Sequence, residues 1–282
     1  MKWIETPPGA SAAFHMGLDA FLSEKVLDEP VLRVYRFPDP TVTFGFRQEM
    51  SQCLLPGAVE RYSLNLSRRR SGGKAILHHR GLTYSLVIPR KLMNGDVLNS
   101  YRKICDPLYR ALKSWNPSLE FDCLQGTAYK DNPVCFLESS VESFSIGGKK
   151  VVGSAQRRTR NNILQHGEIQ LFSPNISGSE IFRTSNPSEC LKLDELKQGF
   201  LLKEESAEVL RGVAGDIRKE FEKTFGNSKT YALKCRNYNC LGPLMAQLRI
   251  LPEREPGAVL LGKNQWFPQF EIGGSHHAKR SR

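Results

Sequence analysis

Nowhere in the 282 residues do about 18 apolar residues run without interruption, so the sequence encodes no membrane-spanning helix and no membrane partner is expected. No secretory signal is expected either. Met1-Lys2-Trp3-Ile4-Glu5-Thr6-Pro7-Pro8 places an acid and two prolines where an apolar signal core would stand. The cysteines Cys53, Cys105, Cys123, Cys135, Cys190, Cys235 and Cys240 contain no CxxC pair. An odd count in a long chain speaks against a disulfide framework, and the missing ligand spacing speaks against a zinc ribbon. Reduced thiols in a cytoplasmic protein are therefore expected. Cys235 and Cys240 come nearest to a metal half-site, but no second pair at ligand spacing accompanies them, and no metal is expected. There is no internal repeat, finger pattern or RNA-binding aromatic signature, so nucleic acid is not an expected partner.

Apolar residues make up 40% of the chain and charged residues 24%, the balance of an ordinary globular protein. The length allows one large domain, or a domain with an appendage. Forty Lys and Arg against 29 Asp and Glu leave a net charge of +11, a field that attracts acidic partners. The excess is spread out except at Arg68-Arg69-Arg70, at Arg157-Arg158-Thr159-Arg160 and at Lys279-Arg280-Ser281-Arg282. The last of these reads as a basic, disordered tail.

Periodicity predicts a helix from Ser11 to Leu27, with Ser11 as cap and Phe14, Leu18, Phe21, Leu22 and Val26 on one face. Strands are expected at Val31–Tyr35 and Thr41–Gly45, around the turn Phe37-Pro38-Asp39-Pro40. Ala75–Leu77 and Leu82–Ile88 read as two strands joined by a short turn containing Gly81. Asn99–Ser114 is an amphipathic helix burying Ile104, Leu108 and Leu112. Phe144–Ile146, Lys150–Val152 and Ile163–Phe172 are further strands, and Gly147-Gly148 is a hairpin turn. Leu191–Phe225 holds one or two polar helices. These elements intermix without regular βαβ alternation, which implies an α+β fold with a mixed sheet flanked by helices. The expected organisation is a catalytic domain over residues 1–225 and an irregular C-terminal extension over 226–282.

Chemistry concentrates in three segments. The first is Arg68-Arg69-Arg70-Ser71-Gly72-Gly73-Lys74-Ala75-Ile76-Leu77-His78-His79, a basic run and a Gly-Gly step set against an apolar strand. Adjacent glycines permit left-handed backbone and close approach of a ligand, and arginines beside them suit a carboxylate, a phosphate or a thioester-bearing arm. The same stretch also fits an ordinary turn with a solvated basic run. The second segment is Gly148-Lys149-Lys150-Val151-Val152-Gly153-Ser154-Ala155-Gln156, followed by Gln165-His166-Gly167. The third is Cys135-Phe136.

Together with Thr43-Phe44-Gly45-Phe46-Arg47-Gln48, these segments resemble the lipoate/octanoate branch of the biotin/lipoate protein ligase family, over about Gly17 to Phe225. The shared pattern is R-R-x-[ST]-G-G-x-A-x-x-H, then G-x-K-[IV]-x-G-S-A-Q, then a His-Gly turn. The resemblance implies that family's catalytic-domain fold, related to class II synthetases. It is closest to the cysteine-type octanoyltransferases, in which a C-F dipeptide precedes the lysine of G-[RK]-K by fifteen residues, the separation of Cys135 from Lys150. A basic residue after Gly-Gly, here Lys74, fits the same branch.

The resemblance implies that Cys135 is the nucleophile and that Lys150 favours its thiolate and stabilises the tetrahedral oxyanion. Arg70, Ser71, Gly72, Gly73, His78, Gly153, Ser154, Ala155 and His166 would line the substrate site. The implied reaction carries an octanoyl group from acyl carrier protein, through a thioester, to a lysine of a lipoyl domain such as glycine cleavage H protein or 2-oxoacid dehydrogenase E2, with no cofactor. Three alternatives stay open: a lipoate-protein ligase using ATP and Mg²⁺, an amidotransferase moving octanoyl between lipoyl domains, and a carrier-binding homologue without activity. Each residue also has a plainer reading: Cys135 as a buried core thiol, Lys150 as a solvated hairpin lysine, His78 and His166 as satisfied structural histidines. Cys53, Cys105, Cys123 and Cys190 match no motif and read as packing residues.

Overall fold

Ser11 has extended backbone, and its hydroxyl accepts the amide of Phe14 at 3.2 Å, closing the first turn of helix α1 (Ala12–Glu24). Phe14, Leu18 and Leu22 then bury one face of that helix, as the spacing predicts. The computed structural model describes residues 1–93, 95–122, 143–183 and 201–233. Before α1 comes strand β1 (Lys2–Glu5), and after it β2 (Val31–Tyr35), β3 (Thr41–Phe44), the short helices α2 (Met50–Cys53) and α3 (Ala58–Arg61), β4 (Asn65–Arg68), β5 (Ile76–His78) and β6 (Leu82–Pro89). Then follow α4 (Val97–Lys113), β7 (Glu120–Asp122), β8 (Ser143–Ile146), β9 (Lys149–Arg158), β10 (Asn162–Ile169), α5 (Ala207–Phe225) and β11 (Lys229–Ala232).

Eight of these strands form one mixed sheet in the order β11-β1-β2-β6-β10-β9-β8-β7, and β4-β3-β5 form a small second sheet. β11, β1 and β2 run parallel, while every neighbour from β2 to β7 is antiparallel. The fold is thus α+β on a mixed sheet flanked by helices. Among the described residues no helix is long and apolar enough to cross a membrane.

Local chemistry explains most boundaries. Gly147 and Gly148 have φ of 56° and 74°, the two positive angles of a tight hairpin turn between β8 and β9. Asp96 caps α4 by accepting the Asn99 amide at 2.8 Å. Pro107 sits inside α4 at a cost of about 3 kcal/mol. Ile104, Leu108 and Leu112 are fully buried on the same helix, each stabilising by roughly 1.5–3 kcal/mol, so the helix continues through the proline. Ser206 caps α5, and Gly226, at φ 88°, ends it.

The two helices pack on one face of the large sheet. Val213, Ile217 and Phe221 of α5 join Leu108 and Leu112 of α4 and Tyr84, Leu86 and Ile88 of β6 in one core. Arg110 of α4 pairs with Glu220 of α5 at 2.9 Å, and Trp115 Nε1 donates to Asp216 at 3.1 Å.

The structure adds two features to the expected organisation. β5 and β6 do not pair, since β5 runs against β3 in the small sheet and β6 lies in the large one. Arg80, at φ 60°, turns the chain between them, and Gly81 lies so close to Glu168 that a Cβ would stand 2.1 Å from Oε1. In addition, the segment after Gly226 opens with β11, a strand of the large sheet in register with β1. The remainder of the expected extension, with its basic tail, lies outside the described residues, as do Cys123, Cys135, Cys190, Cys235 and Cys240.

Phe221→Ala should cost roughly 3–5 kcal/mol of unfolding free energy, because a fully buried ring is removed from the helix–sheet core. Val97→Ala, at a surface position, should stay within about 0.5 kcal/mol. Urea unfolding curves measure both.

Candidate active site

A strand's side chains alternate between the two faces of its sheet, so the registers assign a face to every position. Tyr84 and Leu86 face the helices α4 and α5. Their neighbours Thr83 and Ser85 face the other way, together with Arg33 and Tyr35 of β2, His166 and Glu168 of β10, and Gly153, Ala155 and Arg157 of β9. This second face is polar, and α1 and the small sheet cover it. Buried polar groups in such a layer must find partners or lose several kcal/mol each.

Asp19 of α1 supplies the central acceptor. Its carboxylate pairs with the Arg33 guanidinium in close contact, accepts Ser85 Oγ at 2.6 Å and Tyr35 OH at 3.4 Å, and lies 3.0 Å from His166 Nδ1. Burial alone would raise the Asp19 pKa, but Arg33, His166 and Ser85 outweigh it and hold the carboxyl below its ordinary value. Burial lowers His166, against the opposing pull of Asp19.

An ionised Asp19 beside a neutral His166 fixes the tautomer: Nδ1–H donates to the carboxylate, which leaves Nε2 as an acceptor. Ser71 Oγ lies 2.6 Å from Nε2 and donates to it. Asp19, His166 and Ser71 are thereby joined in one line, all three buried. His15 stacks on Tyr35 at 3.9 Å and meets Arg33 at 3.0 Å, and burial, followed by the Arg33 charge, takes its pKa down to about 3.

A second cluster adjoins the first. His78 Nδ1 lies 2.7 Å from Glu168 Oε2, which also accepts Thr83 Oγ1 at 2.6 Å. His78 Nε2 is 2.7 Å from Thr43 Oγ1. Arg69 donates to that same Thr43 oxygen at 2.7 Å and to the carbonyls of Thr43 at 2.7 Å, Gly72 at 3.3 Å and Lys74 at 2.8 Å. One buried guanidinium thus clamps both ends of the Gly-Gly loop.

The loop itself forms a wall. Gly73 has φ 88°, and its carbonyl would be 1.9 Å from a Cβ on Gly45, so neither position tolerates a side chain. A Cβ built on Gly73 would rest 3.7 Å from Ala155 Cβ, which places the loop directly over β9.

The structure therefore brings together Ser71, Gly72, Gly73, His78, Gly153, Ala155 and His166. Arg70 lies at the rim, pairing with Glu24 at 3.8 Å. Ser154 faces the opposite side of the sheet, where its Oγ is 2.7 Å from Tyr84 OH. Lys150 is buried in β9 across from Ser145 of β8, and Cys135 lies outside the described residues. Among the described residues no group of three or more His, Cys, Asp or Glu is arranged to hold a metal ion.

Asp19, Arg33, Ser85 and Glu168 were not anticipated from the sequence, and Thr43, part of a motif segment, carried no expected site role. Asp19 carried the one available signal, an acid inside the buried stripe between Leu18 and Leu22.

Residues 11–192 match the family described as the lipoyl protein ligase A/B catalytic domain. The octanoyltransferase LipM of Kyrpidia tusciae is 35% identical over 216 residues, covering 73% of this chain and 76% of that protein. The octanoyltransferase LipM of Carboxydothermus hydrogenoformans is 35% identical over 165 residues, 56% of this chain and 61%, less than two thirds, of that protein. In fold, the chain is similar to a bi-partite lipoate protein ligase from Thermoplasma acidophilum, with a TM-score of 0.64 at 16% identity over 87% of this chain and 92% of that one.

Because His15 and His166 have depressed pKa values when folded, the unfolded chain binds more protons below pH 6.5, the ordinary histidine value. Stability should fall as pH is lowered from 6.5 toward about 3, with Asp19 adding its own loss below its ordinary value of 3.8. His15→Gln should flatten that fall by up to about 1.4 kcal/mol per pH unit, measured by urea unfolding across the range. Gly45→Ala should cost about 1–3 kcal/mol from overpacking against Gly73, read in the same assay.

Proposed function

The chain belongs to the lipoyl protein ligase A/B catalytic-domain family, and we propose that within it the protein is an octanoyltransferase acting in lipoate attachment. The observation that carries the reading is its similarity to octanoyltransferases over most of its length. Cys135, fifteen residues before Lys150, supplies the nucleophile that this chemistry requires.

In the first step the Cys135 thiolate attacks the carbonyl of octanoyl-acyl carrier protein. A carbon–sulfur bond forms to Cys135, the carrier's thioester bond breaks, and the carrier leaves as its thiolate, which takes a proton from solvent. In the second step the amine of an acceptor lysine attacks the new thioester. The amide forms, the amine loses a proton, and the Cys135 thiolate is released. A thioester donor carries its own activation, so both steps balance without ATP.

Lys150 favours the thiolate and stabilises the oxyanion of each tetrahedral intermediate. Gly72, Gly73, Gly153 and Ala155 offer small surfaces along which an acyl chain can lie. His166 and Ser71 hold the loop in place from behind. His78 does the same through Thr43, and Arg70 meets the partner at the rim. Ser154 supports β9 from its far face. The acceptors are lipoyl domains such as glycine cleavage H protein or 2-oxoacid dehydrogenase E2, and the net charge of +11 suits acidic partners.

Incubation with octanoyl-acyl carrier protein and no ATP should give an octanoyl mass adduct that is absent in Cys135→Ala. Lys150→Ala should slow acyl transfer by roughly 10²–10³, the usual effect of losing one oxyanion donor. Activity that appears only with ATP and a free acid would favour a ligase instead. Transfer that starts only from an octanoylated lipoyl domain would make the protein an amidotransferase, and inactivity in every assay would leave a carrier-binding homologue.

A further inference from the structure

Phe46 follows directly on the chain segment that packs against the Gly-Gly loop, yet its ring points outward and is 46% exposed. Its backbone is pinned on both sides: the amide donates to the Ser71 carbonyl at 3.0 Å, and the carbonyl accepts Arg68 at 3.2 Å. Two guanidiniums flank the ring, Arg70 at 5.8 Å and Arg157 at 5.9 Å from its centroid. Arg157 also donates to the Arg70 carbonyl at 2.9 Å, and its Nε has no partner. Glu24, itself exposed, reaches both guanidiniums at 3.8 Å and 3.5 Å. Arg47, next in sequence, is exposed as well.

A single exposed aromatic is ordinary on a protein surface. Here, however, the ring stands on fixed backbone between two arginines, and aromatic and arginine side chains are the types that anchor protein interfaces. A guanidinium matches a carboxylate or phosphate with two parallel hydrogen bonds. Arg157 stands two residues along β9 from Ala155 on the same face, roughly 7 Å away. Arg70 directly precedes Ser71. The patch is therefore the outer continuation of the glycine wall, with its anion-binding groups beside Ser71 and Ala155.

We propose that Phe46, Arg70 and Arg157 form the docking platform for the acyl donor, an acidic carrier protein whose thioester arm is joined through a phosphodiester. An apolar side chain of the carrier seats on Phe46, and carboxylates or the phosphodiester take the place of Glu24 on the two guanidiniums. The platform favours the donor because the donor's arm carries an anionic phosphodiester that the two guanidiniums can pair with. The inference rests on the octanoyltransferase reading above.

The test compares octanoyl-acyl carrier protein with octanoyl-pantetheine, which has the same thioester without protein or phosphate. Phe46→Ala and Arg157→Gln should each raise KM for the carrier substrate about tenfold while keeping octanoyl-pantetheine turnover within about twofold. Glu24→Gln, which frees the guanidiniums, should lower KM for the carrier. Equal losses on both substrates would overturn the platform. So would a loss confined to transfer from the pre-acylated enzyme to a lipoyl domain. If the wild-type protein turns over neither thioester, the transferase reading itself fails and takes the platform with it. Turnover of both thioesters with carrier KM unchanged in all three variants refutes the platform alone.

Discussion

Asp19 is a carboxylate with almost no water around it, and three strands that meet at the polar face of the large sheet give it partners. Arg33 comes from β2, Ser85 from β6 and His166 from β10, while Asp19 itself comes from α1. A buried charge of this kind is stable only when paired and hydrogen-bonded on several sides, and removing one partner leaves the others with an uncompensated group. Asp19 therefore ties a helix and three strands into one arrangement. Through His166 that arrangement reaches Ser71, which sets where the glycine wall stands. Rigidity at the wall is thus a property of a charge network one layer beneath it.

The large sheet divides its work between two faces. On one, Tyr84, Leu86 and Ile88 meet α4 and α5 in an apolar core that supplies hydrophobic stabilisation and makes few specific demands. On the other, polar side chains pair in fixed directions. Hydrogen bonds there contribute less net stability but tolerate only one geometry, which is what a site requires. Ser154 marks the border, because its neighbours Gly153 and Ala155 face the site while its own hydroxyl serves Tyr84 on the apolar side.

Features set by near neighbours in the chain were legible in the sequence. The Ser11 cap, the stripe of Phe14, Leu18 and Leu22, the helix through Ile104, Leu108 and Leu112, and the Gly147-Gly148 turn each depend on residues a few positions apart. The family resemblance also gathers Ser71, Gly73, His78 and His166 into one expected substrate site. Partnerships across long separations were not legible. His166 finds Asp19 at a sequence distance of 147 and Ser71 at 95, and no local pattern marks either pair. The parting of β5 from β6 follows from the left-handed backbone of Arg80 and the pressure of Glu168 on Gly81, both products of tertiary packing. For Ser154 the strand period was visible, but without a register it could not say which residue of Gly153-Ser154-Ala155 turns away.

The parallel pairing of β1 with β11 bears on how the protein is made. Lys2–Glu5 leave the ribosome well before their outer neighbour, Lys229–Ala232, which emerges only after the whole intervening chain. At ~5–20 residues per second the gap lasts roughly 10–45 s. Throughout that time the outer edge of β1 offers unpaired backbone groups to any strand nearby. This edge of the sheet is therefore completed long after β1 itself is made, and the nascent chain depends on its other packing until β11 arrives.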